Sequence, residues 1–193
     1  MNVIDIKLAV EKLKDRLPIV FQTDTLPAIG CLPNFPNKIY EIKKRDLNKH
    51  LILMGAHNKQ LIDYVHNSAR EDFDDIASRF WPGALTIVLP ISKENKSVAT
   101  SKDFTIGLRV PNSNIAKALL IKTGPLLTSS ANISGAPGSN TAQGIALDFP
   151  GLDILGPVPW GKCNGRGSTI ISWIRKGEWR LIREGPVSMK ELK

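Results

Sequence analysis

Lys43, Arg45 and Lys49 place three cations within seven residues. In a chain running extended past Lys43, the side chains of Lys43 and Arg45 point the same way. Three cations near one point would neutralise a triphosphate and stabilise charge developing on a leaving pyrophosphate. The plainer reading is a solvated basic helix end. Arg109 stands in an otherwise apolar run next to Pro111. Arginine makes forked pairs with carboxylate or phosphate, so one inside a buried pattern implies a partner, unless it lies on the exposed face of an edge strand. Ser129, Ser130, Asn132 and Ser134 follow the apolar run Pro125 to Leu127, which reads as a buried strand end, and Gly135 closes the segment. Small hydroxyls and amides supply donors and acceptors without bulk, and ligand sites in open α/β sheets lie outside strand carboxyl ends. The same cluster also suits an ordinary polar turn. Thr23, Asp24 and Thr25 offer hydroxyl and carboxylate groups to a substrate, or to a turn or cap. Ser168 and Arg183 are weaker candidates, readable as a strand residue and a surface cation.

The familiar nucleotide and hydrolase signatures are missing. The sequence has no GxxxxGK[ST], no GxGxxG after a strand, no GxSxG and no HExxH. Cys31 and Cys163 are far apart, and His50, His57 and His66 lack metal-ligand spacing. Neither a disulfide framework nor a zinc site is expected, and the three histidines read as surface residues.

The elements that must carry these residues follow from periodicity. Ile6, Val10, Leu13 and Leu17 recur at helical spacing up to Pro18. Residues 18–21 form a short buried strand, feeding the polar knot at 22–25 and a second apolar run. Asn37 is placed to cap a helix through Ile39, Tyr40 and Ile42. Leu51 to Met54 reads as a strand, Lys59–Asn67 and Asp72–Phe80 as helices, and Leu85 to Leu89 as a strand. Lys93 to Asp103 is polar and expected as an exposed loop. Thr105 to Val110 alternates with period two. Asn114–Lys122 and Thr141–Leu147 read as helices. Pro150 to Gly167 is rich in Gly and Pro, the least regular stretch. Ser168–Trp173 and Trp179–Ile182 suggest an antiparallel pair turning at Lys176-Gly177, before a tail from Met189 to Lys193. Strands and helices interleave without a strict βαβ rhythm, so the expected fold is α/β with an open, twisted, mixed parallel/antiparallel sheet and flanking helices.

The chain has 193 residues, enough for one compact domain that buries roughly 70% of its unfolded surface. Lys plus Arg is 26 against 18 acids, a net charge of +8, which favours polyanionic partners such as nucleotides, nucleic acid or acidic lipid. No apolar run approaches a membrane span and the first residues do not form a secretion signal. A cytoplasmic location is the simplest expectation.

The order of the motifs is more specific than any one of them. TDT, KxR with a following Lys, FWPGALT, GLRVP, SSANISG, GST and a late Arg before Gly occur in succession between Pro18 and Gly185. That succession resembles the YrdC/TsaC family, threonylcarbamoyl-AMP synthases of a tRNA-modification pathway. The resemblance implies a single YrdC-like domain over residues 1–193, without the C-terminal domain of the longer branch, and a basic concave cleft. It implies that L-threonine, bicarbonate and ATP, with Mg2+ accompanying the ATP and no protein-held metal, give L-threonylcarbamoyladenylate and pyrophosphate. Transferase partners would then modify the adenosine next to the tRNA anticodon.

Carried over by motif, Thr23, Thr25, Arg109 and Ser130 would bind threonine. Lys43, Arg45, Lys49, Ser130, Asn132, Ser168 and Arg183 would bind ATP, with Lys43 and Arg45 catalytic. No protein nucleophile is needed, because the threonine carbamate itself attacks the α-phosphate. Three positions depart from the family pattern: Gln22 replaces a Pro, Pro27 an aromatic residue, and Lys49-His50 a Lys-Pro pair. Two other readings stay open. One is a double-stranded RNA or tRNA-binding module of the same fold. The other is a paralogue adenylating another carbamate.

Overall fold

The computed structural model describes residues 1–100, 103–136 and 138–192. Among these residues ten strands form one sheet, interleaved with five α-helices. In chain order they are β1 (Asn2–Ile4), α1 (Ile6–Lys14), β2 (Ile19–Phe21), β3 (Ala28–Cys31), α2 (Asn37–Lys43), β4 (Ile52–Met54), α3 (Arg70–Phe80), β5 (Leu85–Pro90), β6 (Thr105–Arg109), α4 (Asn114–Thr123), β7 (Leu126–Ser130), α5 (Ala142–Asp148), β8 (Asp153–Leu155), β9 (Thr169–Arg175) and β10 (Glu178–Arg183). The strand order is β1-β8-β2-β3-β7-β4-β6-β5-β9-β10. β1/β8, β2/β8, β4/β6 and β5/β9 are parallel. β2/β3, β3/β7, β4/β7, β5/β6 and β9/β10 are antiparallel, so the sheet is mixed, as expected.

The two faces differ in cover. On one face α2, α3 and α5 bury Ile39, Phe73, Ile76 and Ile145 against Ile29, Leu53, Ile87, Leu108 and Leu127 of the strands. On the other, Leu13 of α1 and Leu119 and Leu120 of α4 pack on Ile19, Phe21 and Leu155. Helices α1 and α4 cover the β1–β3 half and reach Leu126 of β7 and Met54 of β4. The rest of the half built from β7, β4, β6, β5, β9 and β10 remains open on that face and forms the floor of a cleft.

Several boundaries differ from the sequence reading. α1 ends at Lys14, before Leu17 and Pro18. Arg16 adopts the left-handed conformation (φ 64°), its N–H donating to Leu13 O while Leu17 N–H donates to Lys12 O, a pair of bonds that closes the helix locally. Asn37 does not cap α2. Pro36 holds that position without a side-chain bond. The helix expected over 59–67 is three short 3-10 turns. Gln60 reaches out of the first turn, accepting from Ala56 N–H and donating to Leu120 O, and Val65 is extended, bridging Ile91. Lys93–Val98 is 3-10 rather than loop. Positions 101 and 102 of that expected loop, and 193 of the expected tail, lie outside the described residues.

Asn2–Ile4 and Asp153–Leu155 form paired strands that the sequence reading left out, because three residues are too few to show alternation. The β9–β10 hairpin turns at Lys176-Gly177 as expected, with Gly177 at φ 72°. Among the described residues no helix is long and apolar enough to cross a membrane.

Candidate functional site

Period-two alternation makes the open half of the sheet amphipathic. On β5, Leu85, Ile87 and Leu89 enter the core while Thr86 and Val88 face the cleft. On β6, Ile106 and Leu108 are core, and Thr105, Gly107 and Arg109 face the cleft. Thr128 and Ser130 on β7, and Ile170 and Ser172 on β9, also face the cleft. The cavity holds about 530 Å3. It therefore lies across the open sheet face rather than off the strand carboxyl ends. The serine cluster is also not wholly a loop: Thr128, Ser129 and Ser130 are the last residues of β7, and the turn starts at Ala131, whose N–H donates to Pro27 O at 2.7 Å.

Among the described residues, five cationic side chains line the cleft, Arg45, Lys49, Arg109, Arg180 and Arg183, with Asp103 the one carboxylate. Low-dielectric walls focus such a field on an anionic ligand. Arg109 lies in the interior of the sheet and is 2% exposed, so it is not on an edge strand. Its Nε donates to Gly83 O (3.0 Å), Nη1 to Thr25 Oγ1 (2.7 Å) and Nη2 to Asp24 Oδ1 (2.6 Å). Burial lowers its pKa and the Asp24 charge opposes that. Gly83 of the Pro82-Gly83 turn is required here, since a Cβ would sit 2.5 Å from Phe80 O.

Lys43 is the last residue of α2 and 3% exposed. The chain does not run extended beyond it, because Lys44 is left-handed (φ 46°). Lys43 and Arg45 therefore do not point the same way. Lys43 Nζ donates to Ser129 Oγ (3.0 Å), to Ser130 O and to Asn132 Oδ1 (3.4 Å), gripping the end of β7 from behind the cleft. Burial first, then the Arg45 and Lys49 charges, lowers its pKa to about 7. Arg45 curls onto the carbonyls of Lys49 (3.3 Å) and His50 (3.0 Å), and Lys49 Nζ reaches Ser134 Oγ at 3.4 Å.

The remaining candidates divide. Thr25 and Ser130 line the cleft, whereas Thr23 stands behind Thr25, its Oγ1 donating to Leu26 O (2.7 Å) and lying 3.1 Å from Thr25 Oγ1. Asn132 organises the turn: Oδ1 accepts from Ser130 Oγ and Nδ2 donates to Ile133 O and Ala136 O. Ser168 lines the cleft, its hydroxyl 2.8 Å from Thr86 Oγ1, and Arg183 donates twice to Ser168 O (3.1 and 2.8 Å). At the position of Pro27 the wall is made by its neighbours Leu26 and Ala28. Arg180 and His50 also line the cleft and were not singled out by the sequence reading. The signal for Arg180 was its period-two relation to Ile182 on β10.

The Sua5/YciO/YrdC family model, described as "Telomere recombination", matches residues 11–185. A threonylcarbamoyl-AMP synthase of Pyrococcus abyssi is 32% identical over 195 residues, covering 97% of this chain and 56% of the relative. One of Bacillus subtilis is 34% identical over 172 residues, covering 85% and 49%. The chain thus spans about half the length of these curated relatives. The crystal structure of P. abyssi Sua5 complexed with L-threonine superposes with a TM-score of 0.87 at 28% identity, over 100% of this chain and 60% of that one.

Proposed function

The chain belongs to the Sua5/YciO/YrdC family, and from that premise we propose that it joins L-threonine, bicarbonate and ATP into L-threonylcarbamoyladenylate with release of pyrophosphate. The observation that carries this reading is the set of five cations to one acid, among the described residues, on an uncovered strip of sheet. The threonine amine condenses with bicarbonate, by way of carbon dioxide, to give a carbamate and water. A carbamate oxygen attacks the α-phosphorus, and the bond to the pyrophosphate oxygen breaks. The protein's task is to hold two anions together in line, which needs fixed cations and donors and no nucleophile.

Arg109 takes the threonine carboxylate, with Thr25 beside it and Thr23 bracing Thr25. Ser130 faces the reacting carbamate. Arg45 and Lys49 hold phosphates, and Lys43 with Asn132 sets the backbone beneath them. Ser168 and Arg183 close the nucleotide side, where Val88, Ile170 and Ile182 offer an apolar surface to the base. With Asp103 the one carboxylate among the described residues that line the cleft, Mg2+ would be carried by the triphosphate and its own waters, a mode that suits this ion, and would neutralise phosphate charge there. The product would pass to transferases that modify tRNA next to the anticodon, in the cytoplasm.

Purified protein with ATP, Mg2+, bicarbonate and L-threonine should yield pyrophosphate and the threonylcarbamoyladenylate ion by mass spectrometry, dependent on both threonine and bicarbonate. Turnover with a different amino acid alone would identify a paralogue. Absence of turnover, with RNA bound, would favour the binding module that the net charge of +8 also suits.

A further inference from the structure

Asp24 sits in the turn that separates two cavities. Thr25 lines the cleft, whereas Asp24 lines a smaller cavity of about 350 Å3 on the other side, with Gln22, Asn112 and Lys162. Its Oδ1 accepts from Arg109 Nη2 at 2.6 Å and from the Asn112 backbone N–H at 3.1 Å. The Asp24 carbonyl accepts from Asn164 N–H at 3.1 Å, so the turn is tied both to the approach of α4 and to the loop after β8. Asp24, Thr25 and Gly83 together engage three of the five N–H groups of Arg109. One N–H on each terminal nitrogen is left over to donate to a ligand.

We propose that Asp24 is a positioning residue. From outside the cleft it fixes the Arg109 guanidinium so that the two remaining N–H groups are presented to the carboxylate of the amino-acid substrate. A long side chain held in place beforehand loses little freedom when the ligand arrives. Asp24 also offsets the burial of a cation that is 2% exposed. The identity of the ligand rests on the function proposed above, whereas the hold on Arg109 does not.

Asp24→Asn keeps the shape and the acceptor but removes the charge, and Asp24→Glu keeps the charge but displaces it. Two readouts separate the role from the ligand: solvent exchange of the Arg109 Nε–H by NMR, and calorimetric Kd values for L-threonine and ATP. For Asp24→Asn, Nε–H exchange is expected to rise at least about tenfold. The L-threonine Kd is expected to rise about tenfold or more, with the ATP Kd within about twofold. Asp24→Glu should lie between. Unchanged exchange in a folded Asp24→Asn protein overturns the proposal. So does an equal loss of both affinities together with a lowered unfolding midpoint, since that is a general structural effect. Wild-type protein that binds no L-threonine overturns the proposed ligand, and the exchange measurement still decides the role of Asp24.

Discussion

Lys43 brings three N–H groups to three acceptors, which is the geometry of an ammonium ion, yet burial and two neighbouring cations lower its pKa to about 7. Near neutral pH both forms are populated. The folded state disfavours the charge, so Lys43 costs stability below pH 7, and the cost is relieved as pH rises from about 7 towards its ordinary 10.5. A bound polyanion acts oppositely and raises the pKa. Nucleotide binding at pH 8 should therefore take up a proton, approaching about one per site and fading by pH 6. Calorimetry in buffers of different ionisation enthalpy measures this uptake. Lys43→Met should abolish it, and an unchanged uptake in that variant would assign the proton elsewhere.

At the scale of elements, β10 departs from simple alternation. Its register with β9 shifts between Leu181 and Arg183. Arg180, Ile182 and Arg183 all line the cleft in consequence, where strict alternation would turn Arg183 away. The irregular backbone after it meets Gly185, where a Cβ would lie 2.3 Å from Thr169 N and 2.6 Å from the Ser168 carbonyl carbon. Those atoms are backbone and cannot rotate aside. Gly185→Ala should cost about 1–3 kcal/mol by overpacking, read as a lower denaturant midpoint with unchanged slope. Because Ser168 O holds Arg183, the same variant should weaken nucleotide binding. Normal ATP affinity in it would disconnect this junction from the site.

For the whole molecule, charge and geometry make separable contributions. The net +8 attracts any polyanion through a salt-dependent term that scales with the phosphates neutralised, whereas the proposed turnover would need a planar fork at one point. Arg109→Lys keeps the charge of the chain and removes the fork. It should lower the rate of adenylate formation by about 10²–10³ and leave the affinity for double-stranded RNA, and its salt slope, nearly unchanged. Equal losses in both assays would show that Arg109 serves only the general field.

Much of this arrangement was legible in residue types and their spacing. Period two on Thr105–Arg109 marks a strand with an arginine on its polar side, the order of short motifs points to the family, and the absence of a nucleophile suits a reaction that needs only anion handling. Each is a local property, and local properties survive without knowledge of the fold. Alternation separates two faces but cannot say which is covered. That depends on α1 and α4 docking on the β1–β3 half of the sheet, through contacts between distant residues such as Leu13, Leu120 and Phe21. The direction taken by Lys43 depends on a single left-handed residue at Lys44 and on acceptors more than eighty positions away. The partner of Arg109 proved to be Asp24, a pairing that exists because β6 and the turn before β3 meet across the sheet.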